Sequence, residues 1–374
     1  MDVDLIDDQI LLRDTTTRFI EMTCPLATVK ELADGKGQLD SNYLRQAAAL
    51  GWFAMLVPEE LGGGNVSGNG VLDAAVIAYA RGAKLQPGSF IGTNVLAMTL
   101  ALEGSPDQQG AVLPSLLEGR ASATWAATGP TGVGEPTAGV RADRRRNGYV
   151  LLGSKSLVQD ASSAGWLLVT TLAEEGPTQF LVPAETPGMA VIGRDGLDLT
   201  RSFFDVVFDE VELPSSALVG RPGAATATID RQLAVTCVLS AAESVGAMDR
   251  DLALAVQYAK DRTAFGRPIG SFQAIKHLLA DTSLLLEMSK AVTFAAATAV
   301  GSEAEGATEM ASIAKAFVGD SGIDLAQSCF QVFGGIGFTW EHDQHLYLRR
   351  LTTEAFLFGD PAWHRERLCH LAGL

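Results

Sequence analysis

Hydrophobic positions follow a helical spacing at both ends of this chain and a strand spacing in its middle. Leu5, Ile6, Ile10, Leu11 and Phe19 recur at intervals that gather them on one side of a helix, and residues 70–85 form an Ala-rich stretch with few polar positions. The run Val57-Pro58-Glu59-Glu60-Leu61-Gly62-Gly63-Gly64 breaks that pattern, because Pro and Gly clusters end helices. Near Ala121 the spacing changes. Residues 149–152, 166–171, 179–182 and 204–208 are short apolar runs separated by Gly, Pro, Asp and Ser, which predicts antiparallel strands. Beyond Gly223, apolar stretches over about 225–262, 272–300 and 305–333 have lengths suited to a helix bundle. The pattern predicts a multidomain α and β protein with an N-terminal helical domain (1–120), a middle antiparallel β domain (121–220) and a C-terminal helical bundle domain (221–374).

Composition narrows the partners. A chain of 374 residues is long for one core, and 47% hydrophobic against 19% charged residues suits buried surface rather than disorder. The formal charge of -16 lacks the basic face that nucleic acid or an anionic membrane requires, so neither is expected as a partner. Charges or Gly interrupt every long apolar run, and the acidic start has no basic and apolar signal regions, so a cytoplasmic location is expected. Cys24, Cys237, Cys329 and Cys369 lie far apart without His at ligand spacing, which predicts buried thiols and no metal site. The five histidines likewise show no nucleophile or metal spacing.

The common nucleotide signatures are missing. There is no G-x-x-x-x-G-K-[ST], and neither Gly-rich stretch reads as a G-x-G-x-x-G after a strand. Two other clusters carry chemistry. The segment from Lys260 to Gln273 joins two helical stretches through Gly266, Pro268 and Gly270, and sets a guanidinium (Arg262), an aromatic ring (Phe265) and an amide (Gln273) close together. Those groups suit a diphosphate and a flat heterocycle. An ordinary helix connection with a surface Arg has the same residues. From Cys329 to Thr339, Gln331 precedes Gly334, Gly335 and Gly337, whose lack of Cβ permits close backbone approach to a ligand or simply a tight helix end.

Taken together, R-x-x-F-G-x-x-I-x-x-F-Q (Arg262 to Gln273) and Q-x-F-G-G-x-G (Gln331 to Gly337) resemble acyl-CoA dehydrogenases. Val57 to Gly63, Thr200-Arg201 and Val207 to Pro214 extend the resemblance along the chain. It implies that family's fold, with a C-terminal four-helix bundle, and FAD as cofactor. It also implies an acyl-CoA substrate, an electron-transferring flavoprotein as acceptor, and a homotetramer or a heterotetramer with a related subunit. By match, Arg262, Phe265 and Gln273 reach the diphosphate of a neighbour's FAD, and Gln331, Gly334 and Gly335 line its adenosine end. Trp125, Ala127 and Thr128 flank the chain's own flavin. Where the family has Trp-Ile-Thr beside the flavin this chain has Leu157-Val158-Gln159, leaving Gln159 as a hydrogen-bond donor. Gly129 stands where the family usually has Glu, and the following Gly-Ser-Asp is absent.

The resemblance implies α-proton abstraction by a Glu with β-hydride transfer to flavin N5. Yet the commonest position of that Glu is Phe358 here, just before Gly359, and the second is Thr236. Between Arg231 and Asp249 the helical stretch holds a single charged residue, Glu243, seven positions from Thr236 and therefore about two turns along nearly the same face. A solitary carboxylate in an apolar helix is costly unless solvated, paired or used, which makes Glu243 the expected base. The alternative for it is an ion pair with an arginine at a subunit contact. Glu354 and Asp360 are lesser candidates. The departures resemble actinobacterial members acting on bulky acyl-CoA thioesters such as steroid side chains. Three activities stay open: an autonomous dehydrogenase, a non-catalytic subunit completing a partner's FAD site, and a flavin oxidase or monooxygenase of similar fold.

Overall fold

The computed structural model describes residues 5–36, 39–40, 42–130 and 134–374. Its first part is helical: α1 (Asp7–Thr23), α2 (Leu26–Ala33), α3 (Tyr43–Ala49), α4 (Gly70–Gly82), α5 (Phe90–Glu103) and α6 (Pro106–Leu117). Local chemistry sets these starts. Asn69 accepts from Leu72 N to cap α4, and Ser105 and Gln108 form a capping box ahead of Pro106 at the first turn of α6.

The middle of the chain forms β1 (Ala123–Ala126), β2 (Val140–Arg145), β3 (Gly148–Gln159), β4 (Trp166–Ala173), β5 (Gly176–Pro183), β6 (Met189–Arg194), β7 (Phe203–Pro214) and β8 (Leu218–Val219), ordered β6-β7-β3-β2-β4-β5-β8 with β1 on β4. The sheet is mixed rather than wholly antiparallel as expected, because β1 and β2 both run parallel to β4. Alternation of apolar and polar residues is blind to strand direction, so the sequence carried no signal for this. Register shifts between β3 and β7 at Leu151/Gly153 and Lys155/Val158 bend β3, and Leu157 near its end adopts a φ of 53°.

After the sheet come α7 (Thr226–Asp261), a short hairpin of β9 (Thr263–Ala264) and β10 (Arg267–Pro268), α8 (Gln273–Gly301), α9 (Ala307–Phe333), α10 (Gln344–Phe356) and α11 (Pro361–Leu371). One apolar core runs through the helices of both ends and takes in Trp125, Ala127, Leu168 and Leu181 from the sheet. A second, around Val140, Leu151, Phe180 and Phe208, lies within the sheet domain. Helix α7 is buried on all sides from Leu233 to Met248, which explains its nearly charge-free sequence there.

Helices α4 and α7 cross at glycines. A Cβ on Gly246 would stand 2.0 Å from Tyr79 O, and one on Gly82 would stand 1.8 Å from Glu243 O. Either Gly→Ala change must push the helices apart, so Gly246→Ala is expected to cost about 3 kcal/mol. Urea unfolding of the purified variant measures this; an unchanged midpoint would contradict the close crossing.

Candidate active site

The Arg262–Gln273 segment leaves the body of the protein. Arg262 ends α7, Ile269 N closes the loop by donating to Arg262 O at 2.8 Å, and Phe265 stands 96% exposed with a φ of 52°. Arg267 lies over the Phe272 ring at 4.1 Å. Tyr258 and Phe333 pack ring to ring at 5.1 Å, which brings the ends of α7 and α9 together and sets this arm beside Gln331, Gly334 and Gly335. Among the described residues the side chains of Arg262, Gln273 and Gln331 are exposed and make no hydrogen bond. The backbone at Gly334 and Gly335 is open, with nothing within 4 Å of an added Cβ. A fork of N–H donors, two unused amides, a bare aromatic ring and open glycine backbone fit the diphosphate and adenosine of FAD. They face outward, into solvent.

Of the residues expected around the chain's own flavin, Trp125, Ala127 and Thr128 line one cleft. Trp125 is buried in β1 and donates its Nε1 to Thr170 Oγ1 at 2.9 Å. Phe358 stacks on it, with ring centroids 6.1 Å apart and planes 9° from parallel. Among the described residues Gly134, Glu135, Pro136 and Leu233 also line this cleft. Gln159 is also engaged: its amide donates to Gly88 O at 3.3 Å and Asp160 Oδ2 at 3.1 Å. A separate, largely apolar cavity of about 340 Å³ lies between Leu157, Leu197 and Phe203 of the sheet domain and Thr352, Phe356 and Leu357 at the end of α10.

Phe358 is held in place from behind. Its φ of 57° is rare for a bulky residue. Lys315, fully buried, donates its Nζ to Glu354 O at 2.8 Å and to Ala355 O and Gly359 O at 3.2 Å, and His364 Nε2 meets Phe358 O at 3.2 Å. Burial first, and the nearby Lys315 and Arg367 charges next, pull His364 down to about 3, so its ring is neutral and Nε2–H is the donor. Asp360 is used as the cap of α11, accepting from Trp363 N at 2.7 Å.

Glu243 stands elsewhere, in a buried charge cluster. One carboxylate oxygen takes Arg81 Nε at 3.1 Å and the other takes Arg201, whose second nitrogen binds Glu354; Glu354 also accepts from Ser240. Arg81 in turn lies over Trp52 and Phe90 at 4.9 and 4.8 Å and donates to Pro87 O at 3.0 Å. Burial alone would raise the Glu243 carboxyl, but Arg201 and Arg81 outweigh it and hold it below its ordinary value. Two arginines and two glutamates cancel in charge and join α4, the β6–β7 connection, α7 and α10. Arg350 and Asp198, with Thr200, form a second buried pair beside them. Sequence reading singled out Glu243 and Glu354 as candidate bases and Thr200-Arg201 only as part of the resemblance, without pairing them. An available signal was Arg81, the one basic residue of mostly apolar α4, as a counterpart to Glu243 in α7.

A helix–sheet–helix chain with an exposed arm between α7 and α8 and an aromatic cleft is an architecture shared with flavin-dependent oxidoreductases. Residues 6–120 match the acyl-CoA dehydrogenase N-terminal domain and residues 226–370 its C-terminal domain. Acyl-CoA dehydrogenase IpdE2 of Mycobacterium tuberculosis is 30% identical over 97% of this chain and 96% of its own length. Butyryl-CoA dehydrogenase from Megasphaera elsdenii has the same fold, with a TM-score of 0.91 at 23% identity and full coverage of both chains. The ChsE4-ChsE5 complex from Mycobacterium tuberculosis superposes with a TM-score of 0.90 at 26% identity, covering 100% of this chain and 99% of that one. The chain belongs to the acyl-CoA dehydrogenase family, FAD-dependent oxidoreductases of lipid β-oxidation.

Proposed function

We propose that this chain, an oxidoreductase of the acyl-CoA dehydrogenase family, works as one subunit of a heteromeric dehydrogenase and completes its partner's FAD site with the Arg262–Gln273 arm, the α-proton being taken in the partner's cleft. The observation that carries this reading is the absence of a base at the family's usual position. Phe358 occupies that position and stacks on Trp125. The one carboxylate bordering that cleft among the described residues, Glu135, sits on the exposed loop at its mouth. Glu243 and Glu354 are bound to arginines. A carboxylate already ionised and gripped on both oxygens has little proton affinity to offer a substrate. Glu243 is thereby a structural ion-pair partner in this reading, rather than the base expected from its helix.

Bound in the partner's cleft, FAD supplies the acceptor for the β-hydride of a bulky acyl-CoA thioester. On this chain Arg262 would hold the diphosphate, Phe265 and Gln273 would flank it, and Gln331 with the Gly334–Gly335 backbone would receive the adenosine end. The electron acceptor in this reading is an electron-transferring flavoprotein, and the location is the cytoplasm. Support for two unlike subunits comes from the likeness to one chain of the ChsE4-ChsE5 complex.

Purification of the chain alone tests the reading. It is expected to be colourless and inert toward a panel of acyl-CoA thioesters, and to yield a yellow, active complex when produced with its partner. A yellow homo-oligomer that bleaches on adding an acyl-CoA would establish the autonomous dehydrogenase instead, with Glu243 again the base to test; rapid reoxidation of its reduced flavin by oxygen would indicate an oxidase.

A further inference from the structure

Lys155 lies at the bend of β3, wholly buried, with no carboxylate on its Nζ. Its three N–H donors meet three backbone carbonyls: Ala127 O at 3.0 Å, Pro136 O at 2.7 Å and Ala138 O at 2.6 Å. The first belongs to the stretch that enters the loop past Thr128, and the other two to the stretch that returns. Two backbone bonds, Ser156 N to Thr128 O and Ser154 N to Gly139 O, flank the same tie at 2.9 Å. Thr128 and Pro136 both line the Trp125–Phe358 cleft. A buried lysine normally has a carboxylate partner, because an isolated ammonium is expensive out of water. This one is satisfied by carbonyls alone.

We infer that Lys155 is a positioning residue that holds the two limbs of the cleft loop, 127–130 and 134–138, together over the cleft. The inference concerns this chain's own loop and stands whichever subunit carries the reaction.

The tie has a built-in response to pH. Burial pulls the Lys155 ammonium down to about 7. Titratable and charged groups on the surrounding elements include Glu135 on the loop, Asp205 on β7 paired with Arg194, Arg141 and Asp143 on β2, and the neutral His364 with Arg367 on α11; none is bonded to Nζ. A lysine whose folded pKa is depressed weighs against folding most at low pH, and that cost recedes as pH rises from about 7 toward the ordinary value near 10.4. Opening the loop would return Nζ to water and to that ordinary value, so closure of the loop follows the same sign and is favoured as pH rises over that range.

Hydrogen exchange of the full chain in its assembled form, read by mass spectrometry and corrected for intrinsic rates, tests the tie. Lys155→Met, which leaves three carbonyls without a donor, should make amides in 127–130 and 134–138 exchange at least about tenfold faster, while the α7 core does not change. Lys155→Arg, which keeps N–H donors at the end of a long side chain, should restore part of the protection. Should Lys155→Met fail to fold, the wild type decides: its loop protection should hold or rise between pH 6 and pH 8.5. A Met variant whose loop matches the wild type, or wild-type loop protection that falls over that pH range, would overturn the inference.

Discussion

Replacing Arg262 with Ala is expected to empty the partner's flavin site while leaving this chain folded. The side chain is exposed and makes no hydrogen bond within the subunit, so its removal takes nothing from the fold. In the proposed assembly it would supply a bidentate, charge-assisted grip on a diphosphate, and a hydrogen bond to a charged group contributes about 1.5–3 kcal/mol. FAD affinity should fall by about 10- to 100-fold, measured as flavin retained through dilution and as the concentration of added FAD that restores activity. Arg262→Lys keeps the charge but loses the planar fork, and recovery should be partial. An Arg262→Ala complex with wild-type flavin affinity would show that the arm does not reach a neighbour's cofactor.

The sequence made the arm legible because its chemistry is local. Arg262, Phe265, Gly266 and Gln273 lie within one turn between two helices, so their spacing along the chain is close to their arrangement in space. The order of helical and stranded regions was legible for the same reason: apolar periodicity is a property of each segment. What the sequence could not show was pairing across long separations. Arg81 and Glu243 are 162 positions apart, and Arg201 and Glu354 are 153 apart. A solitary charge in an apolar helix announced that Glu243 needed something, but a proton to abstract and a guanidinium to bind leave the same mark in one sequence. The direction of β1 and β2 was hidden similarly, since parallel and antiparallel neighbours accept the same alternation. The stacking of Phe358 on Trp125 was hidden too, since the backbone around Phe358 is held by Lys315 and His364 from two further helices.

Glu243 is where the two readings of this protein part most sharply. As a base it would tolerate replacement by Gln: the side chain keeps its shape, the fold survives and turnover of the assembled enzyme disappears. In the charge cluster the same change leaves Arg81 and Arg201 buried without the anion between them. Breaking one partner out of a buried ion pair costs about 3–5 kcal/mol, because the remaining charge stays desolvated. We therefore expect Glu243→Gln to lower the urea midpoint markedly while the surviving folded complex turns over at the wild-type rate. The pH dependence follows from the same contacts. The Glu243 carboxyl is held below its ordinary value, so its contribution is fully present above the unfolded value near 4.3 and is lost as pH falls through the folded one. Wild type should lose stability on acidification more steeply than Glu243→Gln, which has no proton to take up there. A Gln variant of wild-type stability with no turnover would return the base to Glu243 and, with it, catalysis to this subunit.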